Sequence, residues 1–117
     1  MPQFHNTEII KCKKFENTIL LELKFTPNSD FNFKAGQYVL IYQNIDGKEV
    51  NRAFSIASNP KQETIELLIR IYEKGEVSPR LFGLREGDNL KIRGPFGIFQ
   101  LKQPIKEETI FIAGGTG

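Results

Sequence analysis

The sequence predicts an all-β domain of short antiparallel strands, built as a sandwich or a barrel, with one short helix. Apolar and polar residues alternate with a period of two over several short stretches. Turn signals such as Asp46-Gly47 separate these stretches. A single segment, beginning at Ser78, carries the signals of a helix start.

The clearest predicted strand runs from Thr18 to Phe25, where Ile19, Leu21 and Leu23 alternate with more polar neighbours. A period of two places these three side chains on one face, which we expect to be core. The segment from Thr64 to Tyr72 repeats the pattern. Further strands are predicted over residues 36–42, 50–57 and 88–94.

The predicted helix is short. Ser78 is a favourable N-cap, Pro79 is tolerated at the first helical position, and residues 80–84 follow before Gly87 ends the segment.

The last residues differ from the strands before them. Residues 103–108 form a polar linker, and Thr109–Ala113 is an apolar strand that leads into Gly114-Gly115-Thr116-Gly117. A strand followed by a glycine turn is how a parallel nucleotide-binding unit begins. We therefore expect a β-domain over residues 1–103 and, over 104–117, the start of an α/β domain whose remainder is missing. The bare strand is expected to fold back on the barrel or to pair with a second molecule.

Composition narrows the function classes. A chain of 117 residues suits one domain, and a net charge of +2 is too even to indicate binding to nucleic acid or to an anionic membrane. No signal-like or long apolar segment is visible, so we expect a soluble, cytoplasmic protein. One cysteine, Cys12, excludes an internal disulfide and a thiolate metal cluster, and no metal site is predicted. His5 lies in a polar start and is expected to be flexible and solvated.

Three clusters carry candidate chemistry. Arg52-Ala53-Phe54-Ser55 supplies a cation, a ring and a hydroxyl, and a ligand would have to meet Arg52 and Ser55 at a kink or along a strand edge. Taken alone, these residues are better interpreted as an exposed arginine, a core phenylalanine and a turn serine.

The second cluster, Gly75-Glu76-Val77-Ser78, lies at the helix start, where backbone amides favour an anion such as phosphate. An ordinary capped helix is the more common meaning of that pattern. The third cluster, the glycine turn at residues 114–117, follows the right kind of strand but lacks the rest of a dinucleotide fingerprint.

In combination these motifs are specific. R-x-F-S, then a strand ending in Ile69-Arg70-Ile71, then G-x-x-S, then Gly94-Pro95-Phe96-Gly97, then a strand into G-G-T-G, is an order that resembles the ferredoxin–NADP reductase superfamily. The resemblance covers residues 33–117 and is closer to bacterial members, cytochrome b5 reductase-like enzymes and oxygenase reductases than to the plant enzyme.

The resemblance implies a role for each residue of the first motif. Arg52 pairs with the flavin phosphate, Phe54 stacks on the isoalloxazine, and Ser55 points its hydroxyl at the redox-active N5 edge as the catalytic residue. Ala53 belongs to the same motif. Many members have tyrosine in place of Phe54, and the stacking needs only the ring, so the cofactor is expected to be retained.

The resemblance also implies contacts from three later segments. They are the ring and ribityl contacts of Leu68, Ile69 and Arg70, the phosphate loop of Glu76, Val77 and Ser78, and the nicotinamide-facing turn of Gly114, Gly115, Thr116 and Gly117. Phe96 and Phe99 are within the resemblance too, and core packing is the role expected for both.

The resemblance therefore implies a Greek-key barrel that binds FAD, with FMN as the alternative. The whole enzyme would take a hydride from NADH or NADPH and pass electrons singly to a redox partner. This chain alone is expected to oxidise little or no NAD(P)H. Two other function classes stay open, a non-enzymatic oligonucleotide-binding barrel and a flavin-free structural or interaction domain.

Overall fold

Six antiparallel strands and one short helix make up the computed structural model, which describes residues 2–105 and 107–117. The strands form one sheet with the order β4-β3-β6-β1-β2-β5. The elements are β1 (Gln3–Lys14), β2 (Thr18–Phe25), β3 (Tyr38–Ile45), β4 (Lys48–Ser55), β5 (Thr64–Arg70), α1 (Ser78–Phe82) and β6 (Asn89–Phe96).

The core lies on the concave face of the curled sheet. In β2 the side chains of Ile19, Leu21 and Leu23 are fully buried, as the alternation predicts, and the bounds of this strand match the predicted ones. Across the ladder Leu21 is paired with Leu67 of β5. Apolar side chains that meet in this way stabilise the sheet by removing their surface from water.

The two edge strands of the sheet meet at one point. Ile56, just after β4, forms an isolated antiparallel bridge with Leu67 of β5, and the Ala57 N–H donates to the Glu66 carbonyl at 2.8 Å. This isolated bridge joins the two edge strands and closes the curled sheet into a barrel. The predicted all-β, Greek-key barrel with one short helix is confirmed.

Strand β1 is the element that the sequence did not predict. It lies in the middle of the sheet, between β2 and β6, and a bulge interrupts its register between Ile9 and Lys11. Two of its inward positions hold polar residues, Thr7 and His5, which hides the alternation. The Thr7 hydroxyl donates to the Leu90 carbonyl at 2.9 Å, so this buried polar group is satisfied.

The expectation of a flexible, solvated His5 is wrong. Its Nδ1 lies 2.9 Å from the Ser29 Oγ, and its ring meets the rings of Phe25 and Phe31 edge-on, at 5.7 and 5.1 Å between centroids. Burial lowers the pKa of His5, and the charge of Asp30 opposes that shift in part. His5 thus ties β1 to the loop after β2.

Several predicted bounds shift. β3 begins at Tyr38 rather than Gly36, because Gly36 has a φ of +100° and belongs to the preceding turn. β4 begins earlier than predicted, directly after the confirmed turn at Asp46-Gly47. β5 ends at Arg70, where its ladder with β2 ends at the pair Thr18–Arg70.

The predicted strand over Thr109–Ala113 is not formed. Ile110, Phe111 and Ile112 are 81%, 82% and 93% exposed and do not fold back on the barrel. A strand requires a hydrogen-bonded neighbour, and the described part of the chain offers these residues none. Within residues 2–105 and 107–117, no helix is both long and apolar enough to span a bilayer.

Candidate functional site

The R-x-F-S motif lies on an edge strand. Arg52 to Ser55 form the end of β4, which pairs only with β3 over its named length. Phe54 is half-buried against the core, whereas Arg52, Ala53 and Ser55 are exposed. The sequence predicted that a ligand would meet Arg52 and Ser55 at a kink or along a strand edge. An edge strand meets this requirement, because a ligand beside it can reach residues of both faces.

Arg52 is brought to the second motif by the closure of the barrel. Its Nη2 lies 3.5 Å from the Oε2 of Glu76, and its Nη1 donates to the Asn51 carbonyl at 2.7 Å. The side chains of Arg52 and Glu76 are 50% and 53% exposed, so the pair contributes about 0–1 kcal/mol to stability. The guanidinium therefore remains available to a stronger anionic partner.

The segment Leu68-Ile69-Arg70 presents its residues differently. Ile69 is buried in the core with 1% exposure, so only its backbone can face a ligand. Leu68 is half-buried, and Arg70 is exposed with its guanidinium carbon 5.7 Å from the centre of the Tyr72 ring. Sequence reasoning missed Tyr72, which follows the end of β5 and is 62% exposed. An aromatic residue two positions after Arg70 was the available signal.

The loop before α1 is held by Ser78, though not as a helix cap. Val77 is the N-cap residue and its side chain is buried, while Ser78 is the first helical residue. The Ser78 Oγ instead accepts the Tyr72 N–H at 3.0 Å, which corrects the predicted capping role. Gly75 donates its N–H to the Tyr72 carbonyl at 2.9 Å.

This turn has little room for a side chain. A Cβ at Gly75 would lie 3.0 Å from the Ser78 Oγ and 3.1 Å from the backbone carbonyl oxygen of Tyr72. Because α1 is one turn of five residues, its dipole contributes less to anion binding than the sequence suggested. Basic side chains supply positive charge here: Lys74 lies in the loop itself, and Arg52 lies beside it at Glu76.

The G-P-F-G motif lies on β6, which pairs with β3 and is therefore two strands away from β4. A Cβ at Gly94 would lie 3.0 Å from the Cγ1 of Val39, so β6 and β3 approach closely there. The Phe96 ring stacks on Tyr38 at 5.6 Å between centroids. Phe99, however, is 89% exposed, so the core role expected for it is wrong. β6 ends at Phe96, so Phe99 lies in the segment that follows the sheet.

The glycine turn at residues 114–117 is not brought to the barrel site. All four residues are exposed, and a Cβ at Gly114 or Gly115 would have nothing within 4 Å. The structure therefore gathers Arg52, Glu76 and their neighbours but leaves this third cluster apart.

Two concave pockets lie elsewhere on the molecule. One of about 360 Å³ is lined by His5, Asp30 and Pro95 among others, and one of about 750 Å³ lies between the loops around Pro27 and Lys61. Neither includes a residue of the R-x-F-S or G-x-x-S motif. The candidate site lies on the edge strand β4, and a strand edge suits a long ligand that lies across the surface.

The comparisons with known proteins concern the family and the fold of the chain. The family model described as an oxidoreductase FAD-binding domain matches residues 9–101. NADH-cytochrome b5 reductase 1 of Kluyveromyces lactis is 35% identical over 115 residues, which are 97% of this chain and 37% of that reductase. The reductase component of propane 2-monooxygenase from Mycolicibacterium goodii is also 35% identical, over 95% of this chain and 32% of that protein. This chain therefore spans about a third of the length of these relatives.

A solved structure supports the fold independently. The flavohemoglobin from Malassezia yamatoensis, with bound FAD and heme, superposes with a TM-score of 0.77 at 22% identity, over 84% of this chain and 26% of that one. At this identity the likeness concerns the fold alone. Since the family model spans most of the barrel, from β1 to the segment after β6, the chain belongs to the oxidoreductase FAD-binding domain family.

Proposed function

We propose that this chain binds FAD along the open edge between β4 and β5 and is the flavin-binding part of an NAD(P)H-dependent oxidoreductase. One observation carries the proposal. The exposed guanidinium of Arg52, on an edge strand, lies beside the loop at Glu76, so both phosphate-directed motifs meet at one place. Membership of an FAD-binding family supports the choice of cofactor.

The residues fit a phosphate-bearing flavin. Arg52 has a forked set of donors for a phosphate, and its guanidinium contacts the exposed Glu76 carboxylate and the Asn51 carbonyl. The half-buried ring of Phe54 is fixed by the core and offers a flat partner to the flavin ring. The exposed Ser55, next in the strand, is proposed to orient the N5 edge through its hydroxyl.

The second strand edge and the loop complete the proposed site. The backbone of Leu68 and Ile69 and the exposed guanidinium of Arg70 face the sugar chain in this proposal. The loop at Gly75 to Ser78, closed by the Ser78–Tyr72 hydrogen bond, meets Arg52 through the side chain of Glu76, and its backbone amides are proposed to face the phosphate. The oligonucleotide-binding alternative is not favoured, because the family match accounts for both motifs.

The activity of the whole protein is likewise a proposal. Bound FAD supplies a hydride acceptor and a donor of single electrons. The K. lactis relative is named an NADH-dependent reductase, which supports NADH or NADPH as the hydride donor. Relatives differ in their electron acceptors, so the acceptor here is proposed only as a redox protein or centre. Residues 104–117 are proposed to begin the nicotinamide-binding domain, and a cytoplasmic location is proposed as well.

Flavin binding is the direct test. The purified chain is titrated with FAD, FMN and riboflavin, and binding is followed by flavin fluorescence and by the visible spectrum. Saturable binding of FAD, with FAD identified in the flavin released on denaturation of protein purified from cells, supports the proposal. Absence of saturable binding by all three flavins would refute it.

A further inference from the structure

The ion pair between Arg52 and Glu76 places a carboxylate where the proposed site needs an anionic ligand. Among the described residues two ion pairs are formed, and this is the one that links β4 to the loop before α1. The Glu76 backbone is held from both sides, by the tight turn at Gly75 and by the buried side chain of Val77. Its carboxylate is therefore kept close to Arg52 while its exposed end can still rotate.

We propose that Glu76 determines which flavin phosphate this site accepts, by competing with the ligand for Arg52 and by repelling the more highly charged phosphate. The inference rests on the proposed FAD-binding function. It concerns the side chain of Glu76, whereas the family resemblance concerns the loop of Glu76, Val77 and Ser78 as a phosphate-binding segment.

The competition follows from the chemistry of the guanidinium. Carboxylate and phosphate oxygens are both acceptors for the donor fork of Arg52, and one of its donors already bonds to the Asn51 carbonyl. A ligand phosphate must therefore displace the Glu76 carboxylate or lie beside it. Displacement costs little, because the pair is half exposed, but the carboxylate stays tethered nearby and still repels a bound anion.

The repulsion differs between the two flavin nucleotides. The phosphate of FMN is a monoester, which carries a charge of roughly −1.5 to −2 at neutral pH. The two phosphates of FAD form a pyrophosphate, in which each phosphorus has one ester and one anhydride link and carries a single negative charge, so the charge is divided between two groups. With one phosphate of either nucleotide at Arg52, a carboxylate there penalises FMN more than FAD, because FMN places its whole phosphate charge at that point and the second charge of FAD lies farther away. Riboflavin has no phosphate and is not penalised.

Two variants that each remove one negative charge from the loop distinguish competition for Arg52 from a general electrostatic effect of the loop. Glu76→Gln removes the charge from the Arg52 pair and keeps the size of the side chain and the loop backbone. Glu73→Gln makes the same change three residues earlier in the same exposed loop, at a residue that forms no ion pair within residues 2–105 and 107–117. Arg52→Ala with Glu76→Gln tests whether Glu76 acts through Arg52.

The experiment is a set of flavin titrations on these variants. We expect Glu76→Gln to bind FMN roughly five- to tenfold and FAD roughly two- to fivefold more tightly than the wild type, with the riboflavin affinity unchanged. Glu73→Gln should resemble the wild type, and the gain should disappear in the Arg52→Ala background. Added KCl should shrink the gain, since salt screens exposed charges.

Each other outcome overturns the inference. If Glu76→Gln leaves FAD and FMN affinities unchanged or weakens them, Glu76 does not compete for Arg52. An equal gain in affinity for riboflavin would show that the substitution acts on the flavin ring and not on the phosphate. An equal gain in affinity in Glu73→Gln would show a general electrostatic effect of the loop charge. If FAD binds normally while these patterns fail, the proposed function stands without the inference. If no flavin binds at all, the proposed function falls and the inference falls with it.

Discussion

Tyr38 lies between Phe96 and Ser55 in the structure. Its ring stacks on Phe96 at 5.6 Å between centroids, and its backbone is the ladder partner of Ser55 on β4. Tyr38 is also the ladder partner of Phe96 on β6, next to a register shift. Tyr38 therefore connects the G-P-F-G motif to the R-x-F-S motif. Through this contact the G-P-F-G motif helps to hold the site, although it has no obvious ligand-binding group.

Phe96→Ala is expected to lower the free energy of unfolding by about 1–3 kcal/mol, because it removes a half-buried ring and its stacking on Tyr38. Phe99→Ala removes the same ring from an exposed position and should change stability by less than about 0.5 kcal/mol. Urea unfolding followed by circular dichroism measures both. Equal losses in the two variants would contradict the support role of Phe96.

Arg52→Ala is expected to weaken FAD binding by about 1.5–3 kcal/mol, or roughly one to two decades in the dissociation constant, through loss of a charge-assisted bond. Fluorescence titration with FAD measures the change. Arg85→Ala, which removes an exposed arginine from the turn before β6, is the matched control and should bind as the wild type does. Equal dissociation constants for Arg52→Ala and the wild type would remove Arg52 from the site.

Ser55→Ala is expected to slow hydride transfer in the whole enzyme more than it weakens flavin binding. The reason is that the proposed hydroxyl contact is with the reacting edge of the flavin, while the affinity comes from the phosphate and ring contacts. Stopped-flow reduction by NADH gives the rate, and a flavin titration gives the affinity. A lowered melting temperature with an unchanged reduction rate would show that Ser55 has a purely structural role.

The parts of the fold that the sequence predicts are those with local signals. β2 has an uninterrupted alternation, and its predicted bounds match the structure. β1 was missed because its inward positions include Thr7 and His5. Thr7 finds its acceptor, the Leu90 carbonyl, 83 residues away, and His5 meets Ser29 24 residues away. Partners at such separations leave no local pattern.

The candidate site shows the same limit. The motifs could be found in the sequence, but the contact between Arg52 and Glu76 depends on the closure of the barrel between β4 and β5. The predicted cap at Ser78 was wrong because Val77 is the N-cap residue and the Ser78 hydroxyl accepts the Tyr72 N–H within the preceding loop. The predicted strand at residues 109–113 was wrong because strand formation requires a neighbour as well as apolar side chains.

His5 is expected to make stability depend on pH. Burial lowers its pKa below the usual 6.5, so the folded state favours the neutral ring. The stabilisation is present above the unfolded pKa and is lost as the pH falls through the lowered folded pKa. Wild type should therefore lose more stability than His5→Gln between pH 7 and pH 5 in urea unfolding. His5 is the one histidine in the sequence, so parallel losses would refute this assignment.

Residues 109–113 are expected to cause self-association. The three consecutive residues Ile110, Phe111 and Ile112 are all exposed. A contiguous apolar segment of this kind favours contact with a second molecule. Light scattering over a concentration series should show a rising average mass for this chain and a constant mass for a version that ends at Lys102. The shorter version keeps the open edge of β4, so association through that edge would persist in both. If both stay monomeric at every concentration, association through residues 109–113 is ruled out.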